Sequence, residues 1–178
     1  MQSKTSKVAL CGVIAALSVV VLFLTGLVPI FVFSFPAIAG CLLIAVVAET
    51  SVRYGIAVYA VVSILSVFLV PDREAVLLYI IFFGYYPALY GVLSRIQNQV
   101  LCWIVKILLF NVAMLAELFL SVFVLSIPFS EAMPFGKIGV VVIFTLFNLF
   151  FVAFDLSMNG LIVMYIRRIH PAIRKYLR

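Results

Sequence analysis

The sequence predicts an all-α membrane protein, a bundle of six transmembrane helices in one domain, and three observations predict it. Of the 178 residues 67% are hydrophobic and only 10% are charged, against roughly a quarter charged in soluble domains. Apolar runs recur at close to the ~20 residues that a hydrocarbon core of ~30 Å needs at 1.5 Å rise per residue. The breaks between the runs, with the two ends of the chain, hold six of the seven prolines and most of the charges. A water-soluble fold of this length has too much surface to cover with so few charged side chains.

The first span is expected from about Val8 to Val28, ending at Pro29. Lys4 and Lys7 before it imitate a signal peptide, but its apolar run is longer than an ordinary signal core and further spans follow. It reads as a retained helix. The stretch Pro29–Pro36 is apolar but framed by prolines, an outer connection or a re-entrant segment. The second span covers about Ala37 to Ala48, with an earlier start allowed, and Glu49–Arg53 breaks it. The third covers about Tyr54 to Val70 and stops at Pro71–Glu74. The fourth covers about Ala75 to Leu93, followed by the polar turn Ser94–Gln99. The fifth covers about Val100 to Leu125, the loop Ser126–Gly136 follows, and the sixth covers about Ile138 to Ile166. A basic tail runs from about Arg167 to Arg178.

Charge asymmetry sets an expected orientation. Six spans place Lys4, Lys7, Arg53, Arg95, Arg167, Arg168, Arg174, Lys175 and Arg178 on one side, with Arg73 and Lys137 on the other. Lys106, one to two turns inside the fifth span, snorkels toward the richer side. The positive-inside rule assigns that side, and both termini, to the cytoplasm. Five or seven spans would separate two basic ends. The tail suits anionic headgroups of membrane lipid or a cytoplasmic partner.

Ionisable groups at bilayer depth cost a few kcal/mol each on insertion scales and call for a reason. With midpoints near Ala113 and Val152, Glu117 and Asn148 both stand about 6 Å to the outer side. Asn111 and Asp155 stand slightly to the inner side, and Lys106 and Asn159 deeper. Lys106 and Glu117 point within about 20° of one another at 100° per residue. Asn148, Asp155 and Asn159 share one face of the sixth span. The pattern predicts a polar seam between the fifth and sixth spans. Its use is a polar ligand site or interhelical hydrogen bonding that fixes the bundle. Asp155 is either a ligand group or half of an ion pair with Lys106. Glu117 has no cation at its depth. It is either protonated by desolvation or kept for a ligand or partner charge, and is the strongest single candidate.

The fourth span carries Tyr79, Phe82, Phe83, Tyr85, Tyr86 and Tyr90, with Gly84 and Pro87 placed to kink it and open space beside it. Such rings suit a planar ring ligand, or ordinary packing with an interfacial belt. Asp72-Arg73-Glu74 is a solvated turn with a helix-start acid, or the mouth of a site. On the first span Cys11 and Ala15 are four apart, as are Gly12 and Ala16. A small-residue stripe lets another helix approach closely, from this chain or from a partner. Cys11, Cys41 and Cys102 show no metal or C-x-x-C spacing and read as packing residues.

This layout resembles the substrate-binding S components of energy-coupling factor transporters, in particular the riboflavin-type branch. The carriers are the small residues of the first helix, the proline-framed loop, Ala39-Gly40, the aromatic fourth helix and the basic tail. Ala153-Phe-Asp-Leu-Ser-Met-Asn-Gly160 is similar to that family's Pro-Phe-Asn/Asp-x-x-Lys-Gly stretch. Ala153 stands in the proline's place, Met158 in the lysine's, and the glycine comes one residue later. The resemblance implies a bacterial plasma-membrane receptor that captures a vitamin-like solute. It would dock through Cys11, Gly12, Ala15 and Ala16 on a transmembrane coupling subunit driven by cytoplasmic ATPases. Glu117, Asn148 and Asp155 would bind the solute beside Tyr79, Phe82, Phe83 and Tyr86, under outer loops near Pro29–Pro36 and Ser126–Gly136.

The chain itself has no P-loop or Gly-rich phosphate cradle, so ATP use falls to partners. No cofactor, metal or nucleic-acid partner is expected, since the basic residues form no aromatic-interleaved groove. A different class of reading is a non-transporting scaffold subunit of an envelope-building complex. An intramembrane enzyme is disfavoured, because His170, the one histidine, lies in the tail and Glu117 and Asp155 stand about 9 Å apart in height.

Overall fold

A computed structural model describes residues 4–125 and 136–169. Of the loop expected over Ser126–Gly136 only Gly136 belongs to that set. His170, Arg174, Lys175 and Arg178 of the tail lie outside it. Among the described residues every regular element is helical, as predicted. The helices are α1 Lys4–Phe23, α2 Ser34–Glu49, α3 Val52–Leu69, α4 Arg73–Leu78, α5 Tyr86–Leu93, α6 Gln99–Phe123 and α7 Gly136–Met164. A π turn, Tyr79–Phe83, joins α4 toward α5, so these two form one interrupted helix; a second, Tyr165–Ile169, extends α7.

Five of these helical segments are long and apolar enough to cross a membrane, and α2 is a shorter apolar helix. The protein is a multi-pass membrane protein, with six helical segments among the described residues. Large apolar side chains such as Ile30, Phe68, Val100 and Phe123 are left exposed, which hydrocarbon accepts and water does not.

The chain divides into two compact units, residues 1–92 with 158–178, and residues 93–157. In the first, α1 packs on α2 and α3, and α2 on α3 and on the π turn after α4. Its core joins Ile14, Ala15 and Leu22 of α1, Leu43 and Val46 of α2, Val58 and Val62 of α3, and Tyr79. Small residues make close crossings possible. A Cβ on Gly55 would stand 2.6 Å from a Val47 methyl.

Helix boundaries follow local chemistry. Helix α2 starts at Ser34, inside the proline-framed stretch, because Pro36 sits in its first turn where no N–H is needed. A short 3₁₀ turn, Pro29–Phe31, precedes it. Between α3 and α4, Arg73 donates to the Val67 carbonyl at the end of α3, and Asp72 Oδ1 accepts from the Ala75 N–H at 3.2 Å. One polar pair therefore satisfies one helix end and starts the next. Asn98 Oδ1 likewise accepts from the N–H groups of Val100 and Leu101 at 3.0 and 3.3 Å, opening α6.

Candidate functional site

The aromatic candidates lie in the first unit. The Gly84 N–H donates to the Tyr79 carbonyl at 2.8 Å, one residue further back than in an α-helix. This π register takes that N–H away from the Ile80 carbonyl, which accepts from the Tyr59 hydroxyl at 2.7 Å instead. Pro87 has no N–H to offer the Phe83 carbonyl. That carbonyl lies against Gly40 of α2, where any Cβ would clash with it. Proline, the π turn and Gly40 thus form one device that swings the aromatic segment onto α2 and α3. π bulges of this kind are frequent at functional sites.

Tyr79 and Tyr86 are fully buried and Phe82 and Phe83 are 2% and 3% exposed. Phe82 meets Tyr86 at 4.7 Å between ring centroids and Phe83 edge-on at 5.3 Å. Tyr59 of α3, which sequence reasoning missed, joins the set at 6.1 Å from Tyr79 and 5.9 Å from Tyr85. Its ring also corrects one expectation: Gly84 opens no space. A Cβ there would lie 2.5 Å from the Tyr59 ring and 2.8 Å from the Tyr79 ring. The missing side chain is used to bring two rings against the backbone. The Tyr79 hydroxyl is buried without a hydrogen-bond partner among the described residues.

The polar candidates lie in the second unit, and α6 and the first part of α7 form the predicted seam. Lys106 Nζ donates to both carboxylate oxygens of Asp155, at 2.8 and 2.9 Å. Their side chains are 7% and 4% exposed, and the ammonium also stands 5.4 Å from the centre of the Trp103 ring. Phe110 stacks on Phe151 at 4.6 Å, with 11° between the ring planes. Asn111 and Asn148 exchange amide hydrogen bonds of 2.9 and 3.1 Å. Their amide groups donate also to the carbonyls of Ile107 and Phe144, both at 2.8 Å. Moving up α6 through these three rungs moves down α7, so the helices are antiparallel.

The rungs correct the expected heights. Asn148 stands level with Asn111 rather than with Glu117, and Asp155 level with Lys106 rather than Asn111. The midpoints of the apolar runs lie about two to three residues too far along, roughly 4 Å, because α6 and α7 begin and end one to two residues before those runs. Glu117 accepts from the Ser121 hydroxyl, one turn further along α6, at 2.8 Å. The Lys106–Asp155 and Asn111–Asn148 partnerships are those of an interhelical clamp.

The small residues of α1 divide into two faces. Ala15 is buried in the core of the first unit, with Cys11 packed against it. The same face continues through Ser18, whose hydroxyl donates to the Ala39 carbonyl of α2 at 3.3 Å. Cys11 and Ala15 thus serve packing within the chain. Gly12 and Ala16 face outward, and a Cβ on Gly12 would meet nothing within 4 Å.

Two further contacts had no clear signal in the sequence. Cys41 Sγ lies 3.6 Å from Met158 Sδ, and the Tyr165 hydroxyl donates to Glu49 Oε1 at 3.1 Å. Glu49 reads as a helix breaker, but the structure buries it to 9% exposure. The two contacts advance together along α2 and α7, so these helices run parallel and end at one level. Compared with protein-family models, curated proteins and solved structures, the chain has no match.

Proposed function

We propose that the chain is the membrane-embedded solute-binding subunit of an uptake transporter. It takes a small ring-containing, vitamin-like solute and works with a coupling subunit and cytoplasmic ATPases, as S components of energy-coupling factor transporters do. The observation that carries this reading is the Tyr79 hydroxyl, buried without a hydrogen-bond partner among the described residues, in a cage of aromatic rings beside a π turn. An unsatisfied buried hydroxyl costs about 1–3 kcal/mol, and a polar atom on a planar solute would remove that cost while its ring stacks on Phe82 or Tyr86. The parallel ends of α2 and α7 support an even number of crossings, with Arg53 and Arg167 on one side. The positive-inside rule makes that side cytoplasmic, in a bacterial cell membrane.

The satisfied partners of Lys106, Asp155, Asn111 and Asn148 favour a holding role for those groups, and solute contact falls first to Tyr79 and its neighbours. Purified protein titrated with ring-containing vitamins tests the reading. Saturable binding that weakens at least tenfold in Tyr79→Phe supports it. Glu117→Ala and Asp155→Ala ask separately whether the second unit contributes. Co-purification of ATPase subunits agrees with the proposal. Co-purification of cell-wall enzymes, with no solute bound, replaces it with the scaffold reading.

A further inference from the structure

A groove of about 400 Å³ runs between α2 and the end of α7. Ile38, Cys41, Leu42 and Ala45 line it from α2, with Leu161 and Met164 from α7, and Tyr165 also borders it. The lining offers almost no polar surface, so a hydrogen-bonding solute finds no partners there. The lining of α2 extends over the eight residues from Ile38 to Ala45, about 10 Å of axis. A groove of that length with so apolar a lining suits a hydrocarbon chain.

Charge decides which end of such a molecule lies where. Beyond the Tyr165–Glu49 hydrogen bond, α2 ends and α3 begins within two residues, bringing exposed Arg53 into the first turn of α3. Two residues past Tyr165 stands exposed Arg167. Both cations therefore lie at the Glu49–Tyr165 end of the groove. Glu49, the acid nearest them in the chain, accepts from the Tyr165 hydroxyl. Basic pockets between helices at the cytoplasmic face suit acidic lipid headgroups.

We infer that this groove binds one anionic phospholipid, its acyl chain against Cys41, Ala45 and Leu161 and its phosphate at Arg53 and Arg167. The chain fills apolar space that would otherwise forfeit dispersion contacts, and the headgroup neutralises two cations at the membrane surface. The site is independent of the solute proposed for the aromatic cage.

The test is native mass spectrometry of the full chain extracted from vesicles of equal parts phosphatidylcholine and phosphatidylglycerol. The wild type is expected to retain one lipid, with phosphatidylglycerol favoured by about thirtyfold, the order expected for two surface arginines. Ala45→Trp fills the groove and is expected to lose the retained lipid. Arg53→Gln with Arg167→Gln is expected to keep one lipid and lose the preference. A diazirine-bearing phosphatidylglycerol is expected to label α2 and the end of α7, which decides the matter even if Ala45→Trp does not fold. Equal retention of both lipids by the wild type, unchanged retention by a folded Ala45→Trp, or labelling confined to other helices would overturn the inference.

Discussion

Lys106 and Asp155 neutralise one another inside the second unit, the ammonium reaching both carboxylate oxygens at 2.8 and 2.9 Å. Removing either partner strands a charge where almost no water reaches. Lys106→Met and Asp155→Leu are each expected to cost about 3–5 kcal/mol, while the double substitution costs much less than their sum. Reversible unfolding in mixed micelles, followed by far-UV circular dichroism, measures the cycle. Additive losses would show that the pair is not a coupled unit.

The Asn111–Asn148 exchange is weaker because each amide also bonds within its own helix. Asn111→Leu and Asn148→Leu are expected to show a coupling of about 0.6–1.7 kcal/mol, the range for interhelical hydrogen bonds in lipid. The same unfolding assay reads it, and zero coupling would dissolve this rung of the register.

Gly40 and Gly12 predict opposite outcomes for one substitution. Gly40→Ala drives a methyl group into the Phe83 carbonyl and is expected to cost about 1–3 kcal/mol through overpacking. Gly12→Ala meets open space and is expected to be neutral, or stabilising by up to about 1 kcal/mol from helix propensity. Comparing their thermal midpoints checks both, and equal shifts would refute the close approach of α2 to the π turn.

Tyr79 and Tyr59 separate an orphaned hydroxyl from a bonded one. Tyr79→Phe removes a buried group with no partner among the described residues and is expected to stabilise the solute-free protein by about 1–3 kcal/mol. Tyr59→Phe leaves the Ile80 carbonyl without its donor and is expected to destabilise it by a similar amount. Chemical unfolding without added vitamin reads the signs. Destabilisation by Tyr79→Phe would show that its hydroxyl is satisfied after all.

Composition and run length alone determined the all-α class, the solvent and the six helical segments, because hydrocarbon demands long apolar helices whatever their neighbours. Local chemistry was legible too: Asp72 as a helix start, the interruption near Gly84 and Pro87, and a polar seam on α6 and α7. What only the tertiary structure decided is who meets whom. Asn148 answers Asn111 rather than standing level with Glu117, since register is set by side-chain packing between the two helices. Tyr59 fills the space that Gly84 was expected to open, because a glycine permits approach without saying what approaches. Glu49, read as a break, is buried against Tyr165 from 116 residues away. Such contacts arise from long-range packing, and no window of sequence contains both partners.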